Sequence, residues 1–196
     1  MAEIPPIMTA DYYPWGGEFT TGDPQGCVAV VLLTTDYTPS DKVAIYGPLR
    51  TENIGVEKIV ANTISNPHIR FLIIIGKEIR GHRSGASLLA LHKNGIDNNH
   101  RIIDAPGAIP YIENLDEQAI QRFQHQIQII NHIDLTDSQK INTIVEQYIH
   151  KKTKPYGEPY IAIQIISENK ISLEDKRALH SKIMIDYVGK VKKRGT

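Results

Sequence analysis

The segment Gly76-Lys77-Glu78-Ile79-Arg80-Gly81-His82-Arg83-Ser84-Gly85 gathers glycines, cations, a carboxylate and an imidazole in one short stretch. Three chemistries fit such a mixture. A phosphate loop needs lysine and then a hydroxyl residue after its second glycine, and here His82 and Arg83 stand in those places. Without the lysine no charge meets the phosphates, and without the hydroxyl nothing holds magnesium. A dinucleotide turn needs G-x-G-x-x-G, whereas Gly81 and Gly85 are spaced G-x-x-x-G. The third chemistry is metal ligation by His82. A glycine beside the histidine lets backbone and ring approach a bulky ligand. The same ring also reads as an ordinary surface-loop histidine. The residues of the loop leave both readings open.

Other catalytic signatures are missing from the chain. His68, His92, His100, His125, His132, His150 and His180 show no HExxH or CxxC-type spacing, so no structural zinc site is expected. There is no G-x-S-x-G elbow for a serine hydrolase. Cys27 is the only cysteine, which rules out an intramolecular disulfide, and its place in an apolar run reads as a small buried hydrophobe.

The elements that must position the loop alternate along the chain. Residues 1–26, rich in Pro, Gly, Tyr and Trp, read as an irregular N-terminal arm. Cys27–Thr35 is an unbroken apolar, β-branched run and Arg70–Ile75 is apolar from Phe71 onward, the mark of strands buried on both faces of a parallel sheet. Helical spacing runs from Thr51 to Ile64, with Ile54, Ile59 and Val60 facing inward, until Asn66-Pro67 stops it. Ser84–Lys93 reads as a helix closed by Asn94-Gly95. Arg101–Asp104 reads as a short strand entering the irregular loop Ala105–Ile112. A helix over Asp116–Gln124, a strand over Gln126–Ile133 and a helix from Thr136 to His150 follow. Tyr160–Ile166 reads as a further strand and Ser172–Ile185 as a final helix. The expected fold is therefore α/β: a Rossmann-like, mostly parallel sheet with helices on both faces, in one domain over residues 27–196. In such sheets ligands sit at the carboxyl ends of the strands, which places the loops Gly76–Gly85 and Ala105–Ile112 on one functional edge.

Composition narrows the partners. Lys plus Arg and Asp plus Glu both number 22, so no basic surplus points to nucleic acid. The basic tail Lys190, Lys192, Lys193, Arg194 reads as a solvated terminus. The longest apolar runs fall far short of the roughly 18 residues of a membrane span. The first Lys or Arg is Lys42, so no basic n-region of a signal peptide is present. The expected compartment is the cytoplasm, without direct membrane insertion.

Three longer stretches add a resemblance. Gly47-Pro48-Leu49-Arg50-Thr51-Glu52-Asn53-Ile54-Gly55-Val56-Glu57-Lys58, then Gly76 through Ser87, then Asp104-Ala105-Pro106-Gly107-Ala108-Ile109-Pro110-Tyr111-Ile112-Glu113-Asn114 carry it. With Ser65-Asn66-Pro67 and Gly22-Asp23-Pro24, they closely resemble the corrinoid-binding A-subunit family of the archaeal tetrahydromethanopterin S-methyltransferase. The likeness covers about residues 20–150, in the family's order and spacing.

The resemblance implies a cobalamin or related cobamide as cofactor. Its cobalt takes a methyl group from methyl-tetrahydromethanopterin and gives it to coenzyme M, a step of methanogenesis and one-carbon metabolism. It also implies partner methyltransferase subunits, through which both substrates are met, the chain alone being a carrier rather than a complete enzyme. The histidine of the family's glycine-histidine loop, the lower axial ligand of cobalt, matches His82. The cofactor-binding set carried over is Thr51, Glu52, Asn53, Gly81, His82, Ser84, Gly85, Gly107, Ala108, Ile109 and Pro110. A metal-bound histidine needs a partner on its other ring nitrogen. Glu52 is the candidate and Glu78 the local rival, although Glu52 also reads as an ordinary helix-start carboxylate. Gly107 through Pro110 suit a flat apolar cofactor edge, small residues allowing close approach, or else form a rigid turn.

Two departures qualify the transfer. The chain ends at Thr196 without the C-terminal transmembrane helix of the membrane-bound members, so the expectation is a carrier without their coupling to sodium export. Where the family's loop often continues Thr-Gly-Gln, this chain has Ser84-Gly85-Ala86, which implies one fewer hydrogen bond to the cofactor. The alternatives are a soluble paralogue serving a different methyl donor, and an interaction protein without methyl transfer.

Overall fold

The two unbroken apolar runs become neighbouring strands at the centre of one sheet. The structure, a computed structural model, describes residues 13–163 and the strands 177–179, 183–186 and 191–193. The chain divides into two compact units, residues 1–164 and 165–196, and each is described by itself.

In the first unit, β1 (Thr20–Thr21), β2 (Val28–Leu32), β3 (Ile45–Pro48), β4 (Phe71–Gly76) and β5 (Gln128–Ile133) form a sheet in the order β1-β3-β2-β4-β5. All pairings are parallel except that of β1, which lies antiparallel to β3. β2 and β4 are matched from Val28↔Phe71 to Leu32↔Ile75. Because successive side chains of a strand point to opposite faces, each central strand feeds two cores. Ala29, Val31, Leu72 and Ile74 face one cluster; Val28, Val30, Ile73 and Ile75 face the other. This accounts for the lack of polar alternation in both runs. The first face is covered by α1 (Ile54–Ser65), α2 (Ser84–Asn94) and α3 (Glu117–Gln126), which pack on one another. The second is covered by α4 (Ser138–Ile149), through Ile141 and Val145. The chain is thus α/β with a mostly parallel sheet and helices on both faces, as its sequence indicates.

Several local expectations are corrected. β3 carries no strand signal because half of it is Gly47-Pro48. Those residues are tolerated because β1 reaches only Ile45 and Tyr46, which leaves the outer side of Gly47 and Pro48 unpaired. Arg101–Asp104 is not a strand: Arg101 and Ile102 make single bridges to Tyr111 and Ile96, and Asp104 turns left-handed at φ 59°. Residues 160–163 of the expected strand Tyr160–Ile166 are irregular, since the Tyr160 amide donates to the Ile64 carbonyl at the end of α1; residues 164–166 lie outside the described residues. Ile54 faces outward at 40% exposure rather than inward, while Val60 is fully buried.

The second unit contains β6 (Arg177–Leu179), β7 (Ile183–Asp186) and β8 (Val191–Lys193), antiparallel in that order. The helix expected over Ser172–Ile185 is contradicted at residues 177–179 and 183–185; its remaining residues lie outside the described ones. A short apolar run such as Ile183-Met184-Ile185 fits either period, and pairing on both sides decides for a strand.

Candidate functional site

β3 and β4 flank β2 in the sheet, and the loops leaving their carboxyl ends converge. The first, from Leu49 to Asn53, enters α1; the second, from Lys77 to Arg83, enters α2. Each loop is fixed by the helix that follows it. Thr51 Oγ1 accepts the Gly55 amide at 2.9 Å, and Asn53 Oδ1 accepts the Ile54 amide at 2.8 Å, so both cap α1. Glu78 does the same for α2, accepting the Ala86 amide at 2.6 Å and the Gly85 amide at 3.4 Å. Helix N-termini have unpaired amides that such acceptors satisfy. With its carboxylate so engaged, Glu78 is a capping group; it is Glu52 that reaches the imidazole.

Nδ1 of His82 lies 2.9 Å from Oε2 of Glu52. The other carboxylate oxygen, Oε1, accepts the amide of Ile109 at 2.9 Å. One carboxylate therefore ties together three loops, those before α1, before α2 and after Asp104. The Glu52 side chain is 4% exposed and that of His82 53%. Burial alone would raise the Glu52 carboxyl, but the Ile109 amide, its own amide and His82 outweigh that and hold it below its ordinary value of 4.5. An ionised carboxylate only accepts hydrogen bonds, so Nδ1 carries the proton and Nε2 of a neutral ring keeps its lone pair. No described residue engages Nε2.

The remaining candidate residues fall into two groups. Gly81 adjoins His82 at φ +93° with open space around its α-carbon; Ala108 and Ile109 are exposed beside it. Pro110 is buried. Gly107 is also buried, and a Cβ there would lie 2.7 Å from Glu52 Cγ and from the His82 carbonyl oxygen, and 2.8 Å from Ser87 Oγ. Its small size allows the close approach of the protein's own loops at this point. Ser84 is buried and gives its hydroxyl to the Leu49 carbonyl. Gly85 is packed against Leu33, Glu78 and Ile133.

Two residues outside the candidate set join this edge. Ile54 and Ile79 are 40% and 46% exposed, and with Ile109 at 59% they give the loops around His82 an apolar rim. Ile79 stands inside the loop motif, outside any periodic run, and Ile54 opens a helical run whose spacing assigned it to the interior. Among the described residues, no three His, Cys, Asp or Glu side chains gather to hold a bare metal ion. A cavity of about 90 Å³ lies elsewhere, between α1, the sheet and the arm, lined by Trp15, Phe19, Val31, Tyr46, Ile59 and Leu72, and shares no residue with the imidazole pair. None of the described helices is long and apolar enough to cross a membrane.

Comparison with known proteins agrees with the motifs that meet at this edge. The chain is 44% identical over 163 residues to the A subunit of Mtx from Methanosarcina barkeri, whose name marks its methyltransferase assignment as provisional; the match covers 83% of this chain and 79% of that one. It is 45% identical over 153 residues to the A 1 subunit of tetrahydromethanopterin S-methyltransferase from Methanothermobacter thermautotrophicus, covering 76% of this chain but only 64% of that relative's length. The A 2 subunit of the same-named enzyme in Methanobrevibacter ruminantium is 41% identical, with 82% and 86% covered. The family profile for the A subunit of tetrahydromethanopterin S-methyltransferase matches residues 8–174. The chain belongs to the A-subunit family of tetrahydromethanopterin S-methyltransferase.

Proposed function

We propose that this chain is a methyl carrier that holds cobalamin or a related cobamide, with Nε2 of His82 as the lower axial ligand of its cobalt. The observation that carries the reading is the His82–Glu52 pair, a half-exposed imidazole held by a buried carboxylate with its other nitrogen free. Metal-binding histidines are oriented in this way by a partner on the second ring nitrogen. The donor set fits as well. A site with one imidazole is too poor for a bare ion, but it suits a metal that brings its own equatorial ligands. The apolar rim of Ile54, Ile79 and Ile109 suits the flank of a macrocycle. A bound corrinoid supplies a cobalt centre that accepts and releases a methyl group. The protein's own part is to fix the ring: ionised Glu52 keeps the proton on Nδ1, so Nε2 faces outward in one tautomer, and the Ile109 amide holds Glu52 in turn.

In the full reading, methyl-tetrahydromethanopterin is the donor and coenzyme M or another compound the acceptor, both met on partner subunits of the methyltransferase. A second reading rests on the near-equal identity to the A subunit of Mtx and to the A 1 subunit of tetrahydromethanopterin S-methyltransferase. In it the same carrier serves a different methyl donor.

The test is direct. Purified protein mixed with hydroxocobalamin is expected to show a shifted visible spectrum that survives desalting, and His82→Ala is expected to abolish the shift. Loss of all cofactor from the wild-type protein on desalting would end the reading. Methyl transfer assayed with methyl-tetrahydromethanopterin against other methyl donors then separates the two readings.

A further inference from the structure

A second buried carboxylate supports the same loop. Glu57 lies one turn into α1 and is 2% exposed. Its Oε1 accepts the amides of Glu113 at 2.5 Å and Asn114 at 2.7 Å, and its Oε2 accepts Nδ2 of Asn114 at 2.7 Å. Among the described residues neither Glu52 nor Glu57 is paired with a lysine or arginine. Both accept backbone amides of the segment 109–114, Glu52 at its start and Glu57 at its end. On its far side this segment is pinned by backbone bonds: the Ile102 amide donates to the Pro110 carbonyl, and the Ile112 amide donates to the His100 carbonyl. The side facing α1 is held at these hydrogen bonds by the two carboxylates. Without Glu57 the segment can pivot about residues 100–102 and draw the Ile109 amide off Glu52.

We infer that Glu57 is a positioning residue, holding segment 109–114 so that the Ile109 amide meets Glu52 and the Ile109 side chain keeps its place on the rim beside His82. The inference rests on the reading of His82 as the cofactor's ligand for its functional consequence, and on geometry alone for the clamp itself. All three partners of Glu57 are donors. A glutamine there turns an NH2 group toward at least one of them unless Asn114 flips, and an alanine satisfies none.

The experiment compares wild-type protein with Glu57→Gln, Glu57→Ala and Asn114→Ala, the last leaving the buried carboxylate in place should Glu57→Ala fail to fold. Two quantities are read on folded protein: amide hydrogen exchange at Ile109 and Asn114 against the amides of β4, and the affinity for hydroxocobalamin by absorbance titration. The expected result is faster exchange at Ile109 with β4 unchanged, and affinity weakened about tenfold or more in Glu57→Ala, less in the other two. The His82-dependent spectrum is expected to persist at saturation, because the imidazole itself is untouched. Affinity within twofold of wild type in a folded Glu57 variant overturns the inference, since a purely structural group would leave it there. If wild-type protein retains no corrinoid, the cofactor reading falls, and the exchange data still decide the clamp: unchanged protection at Ile109 overturns it.

Discussion

At the residue scale, the Glu52 carboxylate is a stabilising group whose contribution depends on pH. Its carboxyl is held below its ordinary value by the Ile109 amide, its own amide and His82, against burial that acts the other way. A carboxyl depressed on folding stabilises the native state above its unfolded value, and that stability is lost as pH falls through the folded value. Urea unfolding between pH 7 and pH 3 should therefore show a loss of stability beginning below about 4.5, and Glu52→Gln should flatten that limb. At neutral pH the same variant turns an NH2 group toward either the Ile109 amide or Nδ1 of His82, a mismatch relieved only if the imidazole changes tautomer. An acid limb identical in the two proteins would show that Glu52 is not held in this way. The half-exposed imidazole beside it is what the sequence offers as a candidate; the carboxylate's two bonds, at 30 and 57 positions' separation, are not written in any local pattern.

At the scale of elements, the site is a junction of three connections, and Gly107 is where they close. A side chain at that position meets Glu52, the backbone of His82 and Ser87 at once. Gly107→Ala is expected to cost about 1–3 kcal/mol through overpacking and to weaken the His82-dependent spectral shift, since the atoms that must give way belong to the pair. Thermal melting and the hydroxocobalamin spectrum measure the two effects. An alanine variant with wild-type melting and spectrum would show that the loops have slack. The ends of the two helices at this junction were legible from their breakers, Asn66-Pro67 and Asn94-Gly95, while α1 begins at Ile54, three residues after the Thr51 where its spacing starts. The position of the 105–114 loop was not, because its anchors are Glu52, just before α1, and Glu57 within it, more than fifty residues away in sequence, and Glu52 also reads as an ordinary helix-start acid.

At the scale of the whole molecule, the candidate site and a closing strap occupy opposite ends of the sheet. The imidazole pair lies at the carboxyl ends of the strands. At the amino ends the segment after α4 is strapped down: the Tyr156 ring lies between Arg70 and Arg122, with guanidinium carbons 5.1 and 4.7 Å from its centroid. Arg122 also donates to the carbonyls of Tyr156 and Glu158, and the Tyr156 amide donates to the Pro67 carbonyl. Arg122→Ala is expected to speed tryptic cleavage after Lys151 or Lys152 and to leave the hydroxocobalamin spectrum unchanged. A change in that spectrum would mean that the two ends communicate.

The sequence by itself determined the central strands, because a run apolar at every position can be satisfied only where both faces are covered. It determined where α1 and α2 stop, through breakers that act within a few residues, and where α4 starts, through its cap, and it singled out His82 as the one histidine in a glycine-flanked loop. Only the tertiary structure decided that Gly47-Pro48 is a strand, that Ile54 faces outward, and that residues 177–179 and 183–185 pair in a sheet. It also decided that Glu52, not Glu78, meets the imidazole. Local pattern reports how much of a segment is buried; which distant group it meets is set by sheet order and by the crossing of connections, and these depend on the whole chain at once.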